Sequence, residues 1–199
     1  MTTHLLARRP QKAAKGLELG DGLCLPDGRV HEACGPARHT FAMWLASKLR
    51  GPVLWIVQPH RRTQLNAAGI APFAHPGRFA FVTPDKVEDV LWCMEEGLRA
   101  GCTGMVVADL ETLPALTPVR RLHLAAEAGG GRSVGLLLTP GHGGAQGVET
   151  RWHMAQAPEK SWRLERLRAR TAPPAGWMVQ GLPGTPALVP AGAEVAHSA

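Results

Sequence analysis

The feature that most limits how this chain can fold is an alternation, from Arg29 onward, of short apolar runs with segments whose apolar residues recur at helical spacing. Val53-Leu54-Trp55-Ile56-Val57 and Met105 to Leu110 have strand length and no polar face, as expected of strands covered on both sides. Arg29 to Cys34, Arg78 to Val82 and Val134 to Thr139 read as further strands of the same series. Between them, Val87, Val90, Leu91, Met94 and Leu98 step along one helical face that ends near Gly101. Thr83-Pro84-Asp85 reads as the start of that helix, with threonine capping, proline in the first turn and aspartate facing the positive end of the dipole. Thr117-Pro118 opens another helix, with Val119, Leu122 and Ala126 inward and Gly129-Gly130-Gly131 as its stop. An earlier helix after Gly35-Pro36 turns Phe41, Trp44, Leu45 and Leu49 to one side and stops at Gly51, and Arg62 to Ala68 is a short helix closed by Gly69.

Past a flexible loop from Gly141 to Gly147 the texture changes. Thr150 to Ala155 and Ser161 to Leu167 alternate as antiparallel strands joined by a turn at Pro158, and Trp177-Met178-Val179 reads as a last short strand. Strand and helix repeats followed by antiparallel strands predict an α/β protein with a mostly parallel sheet, helices on both faces and an antiparallel C-terminal edge. The chain divides into a basic N-terminal arm (residues 1–20), an α/β core (21–157), basic strands completing the sheet (158–180) and a disordered tail (181–199) rich in Gly, Pro and Ala. Leu17 to Gly28 reads as an irregular lead-in.

The formal net charge of +6 is concentrated in residues 1–20 and 159–170, with a nearly neutral stretch between. Basic flanks beside a neutral core suit an acidic partner, DNA or an acidic protein surface. Candidate contacts are Arg8, Arg9, Lys12 and Lys15 in the first flank, and Trp162, Arg163, Arg166, Arg168 and Arg170 in the second. The second set combines charge with an aromatic fit for base stacking, although strict strand alternation sets Arg163 on the face opposite the other three arginines. Loss of the flank at 159–180 is expected to weaken association while leaving the core folded. Arg120 and Arg121 are neighbours on a helix and point about 100° apart, so only one of them can face a given target squarely. No apolar run reaches the ~18 residues of a membrane span. The first residues have no apolar signal-peptide core, so a cytoplasmic protein is expected. The four cysteines form no C-x-x-C pair and the nine histidines no H-x-x-x-H, so neither a metal site nor a disulfide framework is expected.

Val30 to Ala42 has the strand, glycine turn and helix of a phosphate-binding loop without its chemistry. Gly35 is present, but no Gly-Lys follows it, and the nearest basic and hydroxyl pair is His39-Thr40. Asp109, near the end of its strand, stands where a nucleotide-hydrolysing version would hold magnesium. After Val57, where such a protein places a glutamate to activate water, the chain reads Gln58-Pro59-His60. Gly35, His39, Thr40 and Asp109 therefore read as a degenerate nucleotide site, with no catalytic residue and no cofactor.

With these residues placed, the chain resembles the ImuA family of bacterial damage-inducible mutagenesis proteins, relatives of RecA. The cues run in order: His31-Glu32 followed by Gly35, Gly51 to Ile56, Phe81 through Trp92, Arg120 to Glu127 (RRLHLAAE), Glu149 to Trp152 (ETRW) and Trp162 to Arg170. Residues 78–113 also resemble RecA itself, while RecA's phosphate loop and catalytic glutamate have no match. The resemblance implies a RecA-like three-layer core over residues 21–157 and a non-catalytic accessory of SOS translesion synthesis. It also implies work alongside ImuB (an inactive relative of lesion-bypass polymerases that contacts the sliding clamp), an error-prone DnaE-type polymerase and RecA. The rivals are a SulA-like cell-division inhibitor, also RecA-like without a phosphate loop, and a weak nucleotide-binding ATPase.

Overall fold

The computed structural model describes residues 16–20, 23–58 and 65–191. Its centre is a nine-stranded sheet built from β3 (Val30–Cys34), β4 (Val53–Val57), β5 (Phe79–Val82), β6 (Met105–Asp109), β7 (Val134–Leu138), β8 (Thr150–Ala157), β9 (Ser161–Ala169), β10 (Ala175–Gln180) and β11 (Ala187–Pro190). The spatial order is β11-β10-β9-β8-β3-β7-β6-β4-β5. Strands β8 to β5 of that order are mutually parallel, and β9, β10 and β11 continue the sheet antiparallel. This is the mixed α/β arrangement expected from the alternation of elements, and the middle strand is β3.

Helices cover both faces. On one side lies α1 (Arg38–Lys48), whose Phe41, Trp44 and Leu45 pack with Trp55, Val107, Leu136 and Trp152 of the sheet. On the other lie α3 (Asp89–Ala100) and α4 (Leu116–Ala128), which bury Val90, Met94 and Leu98, and Val119, Leu122 and Ala126, against Val30, Ile56, Val106 and Leu137. A short helix α2 (Ala67–Ile70) starts at Asn66, whose side chain accepts the Gly69 amide, so Gly69 lies inside the helix instead of closing it. The earlier part of the expected helix, residues 62–64, lies outside the described residues.

Five expectations need correction. Leu17 to Gly28 is not irregular, because β1 (Gly16–Gly20) and β2 (Leu23–Pro26) form an antiparallel hairpin. Leu19, Leu23 and Leu25 of this hairpin lie over α1, which is why six consecutive helix residues, Phe41 to Ala46, are buried where one stripe was expected. Helix α3 begins at Asp89, a turn later than Thr83-Pro84 signals, since Val90 is its first residue to reach the core and Val87 stays exposed. The tail proposed for residues 181–199 is not wholly disordered: β11 pairs with β10, and only 192–199 lie outside the described residues. Finally, 159–180 cannot be a detachable flank, because Leu164, Trp177 and Val179 are core residues beside Trp152.

A bulge explains a further difference. Arg151 pairs with Arg168 and Trp152 with Arg166, so Leu167 is an extra residue in β9 and the alternation reverses there. Arg163 and Arg168 consequently share the α4 face of the sheet, while Arg166 lies on the α1 face, contrary to the grouping that strict alternation gives.

Candidate functional site

The turn after β3 has the outline of a phosphate loop, but its polar groups are turned inward. Gly35 has φ of 87°, a conformation that favours glycine, and its amide donates to the Gly141 carbonyl at 2.9 Å. The Ala37 amide, at the start of α1, donates to the Met154 carbonyl of β8 at 2.9 Å. A β carbon on Gly35 would come within 2.5 Å of that same carbonyl and 2.8 Å of the His153 ring. The backbone donors that would cradle a phosphate thus bond to the chain itself, and β8 fills the space beside the glycine.

His39 and Asp109, two members of the predicted degenerate site, do meet. His39 Nε2 lies 2.8 Å from Asp109 Oδ2, with the ring stacked on Trp55 at 6.2 Å. Asp109 is buried at the carboxyl end of β6, level with Val57 of β4 and Leu138 of β7. Gln58, where an activating acid would stand, is buried as well, and His60 lies outside the described residues. Thr40 is half-buried on the first turn of α1.

Two of the sequence motifs that carried the family resemblance, His31-Glu32 and Glu149 to Trp152, come together at the middle of the sheet, a result that reading them separately does not give. His31 and Glu32 of β3 point to opposite faces, and neighbouring Thr150 and Arg151 of β8 answer them. On the α1 face, Trp152 Nε1 donates to Thr150 Oγ1 at 2.7 Å, the Thr150 hydroxyl lies 2.7 Å from His31 Nδ1, and His31 Nε2 donates to the Pro26 carbonyl at 3.0 Å. This chain of bonds fixes the neutral His31 tautomer and ties the hairpin to the sheet. Burial lowers the His31 pKa from 6.5 to about 4.

On the α4 face, Glu32 is fully buried and accepts from Thr139 Oγ1 at 2.7 Å, the Gly144 amide at 2.8 Å and the Ala145 amide at 3.1 Å. Arg151 supplies the opposite charge and also donates to the Ala145 carbonyl. The glycine-rich stretch 141–147, expected as a flexible loop, therefore wraps this carboxylate as a nest wraps an anion. Its anion is a side chain of the protein. The Cys34 thiol beside it is held protonated, its pKa pushed up to about 12, first by burial and then by the nearby Glu32 charge. Among the described residues no group of three or more His, Cys, Asp or Glu could hold a metal ion, and no helix is long and apolar enough to cross a membrane.

The proposed contact residues separate. Arg8, Arg9, Lys12 and Lys15 lie outside the described residues. Arg121 pairs with Glu95 of α3 at 2.8 Å, and Arg163 with Glu165 at 3.0 Å. Arg166 lies over the rings of Trp152 and Trp177, at 5.8 and 5.3 Å, and Trp162 packs against the core, so neither is an open stacking platform. Arg120, Arg168 and Arg170 instead converge with Arg29 on a cleft of about 730 Å³ between α4 and the end of β9. Arg120 and Arg121 diverge as their helical spacing requires.

No protein-family model matches the chain. Among curated proteins, Protein ImuA from each of two strains of Caulobacter vibrioides is 30% identical over 190 residues, covering 83% of this chain and 76% of the relative.

Proposed function

The chain belongs to the ImuA family, and from that premise we propose that it is a non-catalytic, RecA-like adaptor in SOS-induced error-prone translesion DNA synthesis. Its partners in this reading are ImuB, an error-prone DnaE-type polymerase and RecA. The observation that carries the proposal is the use of the Gly35 and Ala37 amides by the chain's own carbonyls. With those donors committed, no lysine after Gly35, and Gln58 in place of an acid, the fold keeps a nucleotide-type frame without the groups that phosphoryl transfer needs. The parallel sheet between α1 and the α3–α4 pair supports the RecA-like assignment, and the surface is left for binding partners.

Affinity purification of the tagged full chain from DNA-damaged cells tests the adaptor role. Recovery of ImuB is expected. Recovery of the division GTPase without ImuB would contradict the proposal and favour the SulA-like reading.

A further inference from the structure

We infer that the cleft between α4 and the end of β9 is a docking site for an acidic peptide segment of a partner protein, one carrying carboxylates beside a leucine-type side chain. The inference rests on the adaptor reading, and gives its partner a chemistry. The cleft lies at the amino end of β3, marked by Arg29, and so at the opposite end of the parallel strands from Asp109. It is separate from the nucleotide-like site.

Two of its four arginines are already engaged: Arg29 pairs with Glu127 and lies 4.0 Å from Glu149, and Arg170 lies 3.6 Å from Glu149. Arg120 and Arg168 are exposed and make no ion pair among the described residues, so the cleft carries an excess of two positive charges. Paired guanidinium groups suit carboxylates, which can each accept two parallel bonds. The same wall of α4 presents Leu124, 64% exposed, one turn beyond Arg120. A large apolar side chain standing open beside unpaired cations is the arrangement of a peptide anchor with a charged rim.

Phosphate and carboxylate ligands share the attraction to arginine, but the lining of the cleft favours the peptide: no aromatic residue other than His123 lines it, so stacked bases have no platform, while the exposed Leu124 offers contact to an apolar side chain. His123 is itself committed to structure, since Nε2 lies 3.1 Å from the Gly147 carbonyl and Nδ1 3.4 Å from the Val30 amide, which donates to it. The floor is thereby fixed, and the leucine and arginine side chains at the rim are left to meet the ligand.

The test is fluorescence anisotropy of the full chain with a labelled peptide built from aspartate, glutamate and leucine. An amide version of the peptide (asparagine and glutamine for the acids) and labelled oligothymidylate serve as comparisons. The acidic peptide should bind with an affinity that falls as salt rises. Arg120→Ala and Arg168→Ala should each weaken it about tenfold, and Leu124→Ala by a similar factor. Arg121→Ala, turned about 100° away from Arg120 and paired with Glu95 of α3, should leave it unchanged. These are surface substitutions, and an unaltered melting temperature confirms the fold of each variant. Equal binding of the amide peptide, no effect of Arg120→Ala and Arg168→Ala, or tighter cleft-dependent binding of oligothymidylate would each overturn the inference. Any of these together with recovery of ImuB would leave the adaptor role standing, whereas loss of ImuB recovery counts against that role itself.

Discussion

Thr150 shows how much one side chain can hold together. Its hydroxyl accepts from Trp152 Nε1 and donates to His31 Nδ1, so Thr150→Val, nearly the same shape, strands two buried polar groups at once. An unpaired buried group costs ~1–3 kcal/mol, and the variant is expected to lose about 2 kcal/mol or more in urea unfolding; a change within error would show the bonds to be idle. His31 makes the same joint sensitive to acid. Its folded pKa of about 4 is below the ordinary 6.5, so the neutral form stabilises the fold. That contribution is full above pH 6.5 and is lost as pH falls towards 4, a span worth roughly 3 kcal/mol. His123, also lowered by burial, acts in the same direction. Unfolding free energy measured from pH 7 to pH 4 should therefore decline, and His31→Gln should flatten the decline. None of this was legible residue by residue. His31-Glu32 and Glu149-Thr150-Arg151-Trp152 stood out as motifs, but only the pairing of β3 with β8 reveals that one answers the other.

At the scale of elements, the parallel strands and the buried faces of α3 and α4 are legible in the spacing of apolar residues, whereas α1, covered by the hairpin as well as the sheet, buries six residues in a row and shows no single stripe. The β1–β2 hairpin leaves only a faint trace in the alternation of Leu17 with Leu19 and of Leu23 with Leu25, since strands so short give few periods to count. Helix α3 starts later than the local cap signal at Thr83-Pro84 because the chain first meets the sheet at Val90. The Leu167 bulge left no clear local signal, yet it decides that Arg168 faces the cleft and Arg166 the tryptophans. The turn at Gly35 joins β3 to α1 and braces both on β8. Gly35→Ala combines a positive φ with a contact of 2.5 Å to the Met154 carbonyl, so a loss of about 2 kcal/mol or more is expected in thermal unfolding. Full tolerance of alanine would mean that β8 does not pack against the turn as described.

For the whole molecule, the sheet's two ends differ in character. At the carboxyl end of the parallel strands, the turn after β3 is closed by internal bonds: Gly35 to Gly141, Ala37 to Met154 and His39 to Asp109. At the amino end, Arg120, Arg168 and Leu124 stand open around a cleft. In the adaptor reading proposed above, the closed end is the remnant and the open end is the surface offered to partners. The missing lysine after Gly35 and the missing acid after Val57 are legible as absences in the sequence itself, whereas the filling of the space beside Gly35 by β8 needs the third dimension. Titration of the purified full chain with ATP and magnesium in a calorimeter tests the central claim most directly. The account predicts no saturable heat and no phosphate release; saturable binding with turnover, abolished by Asp109→Ala in a variant that still folds, would contradict it.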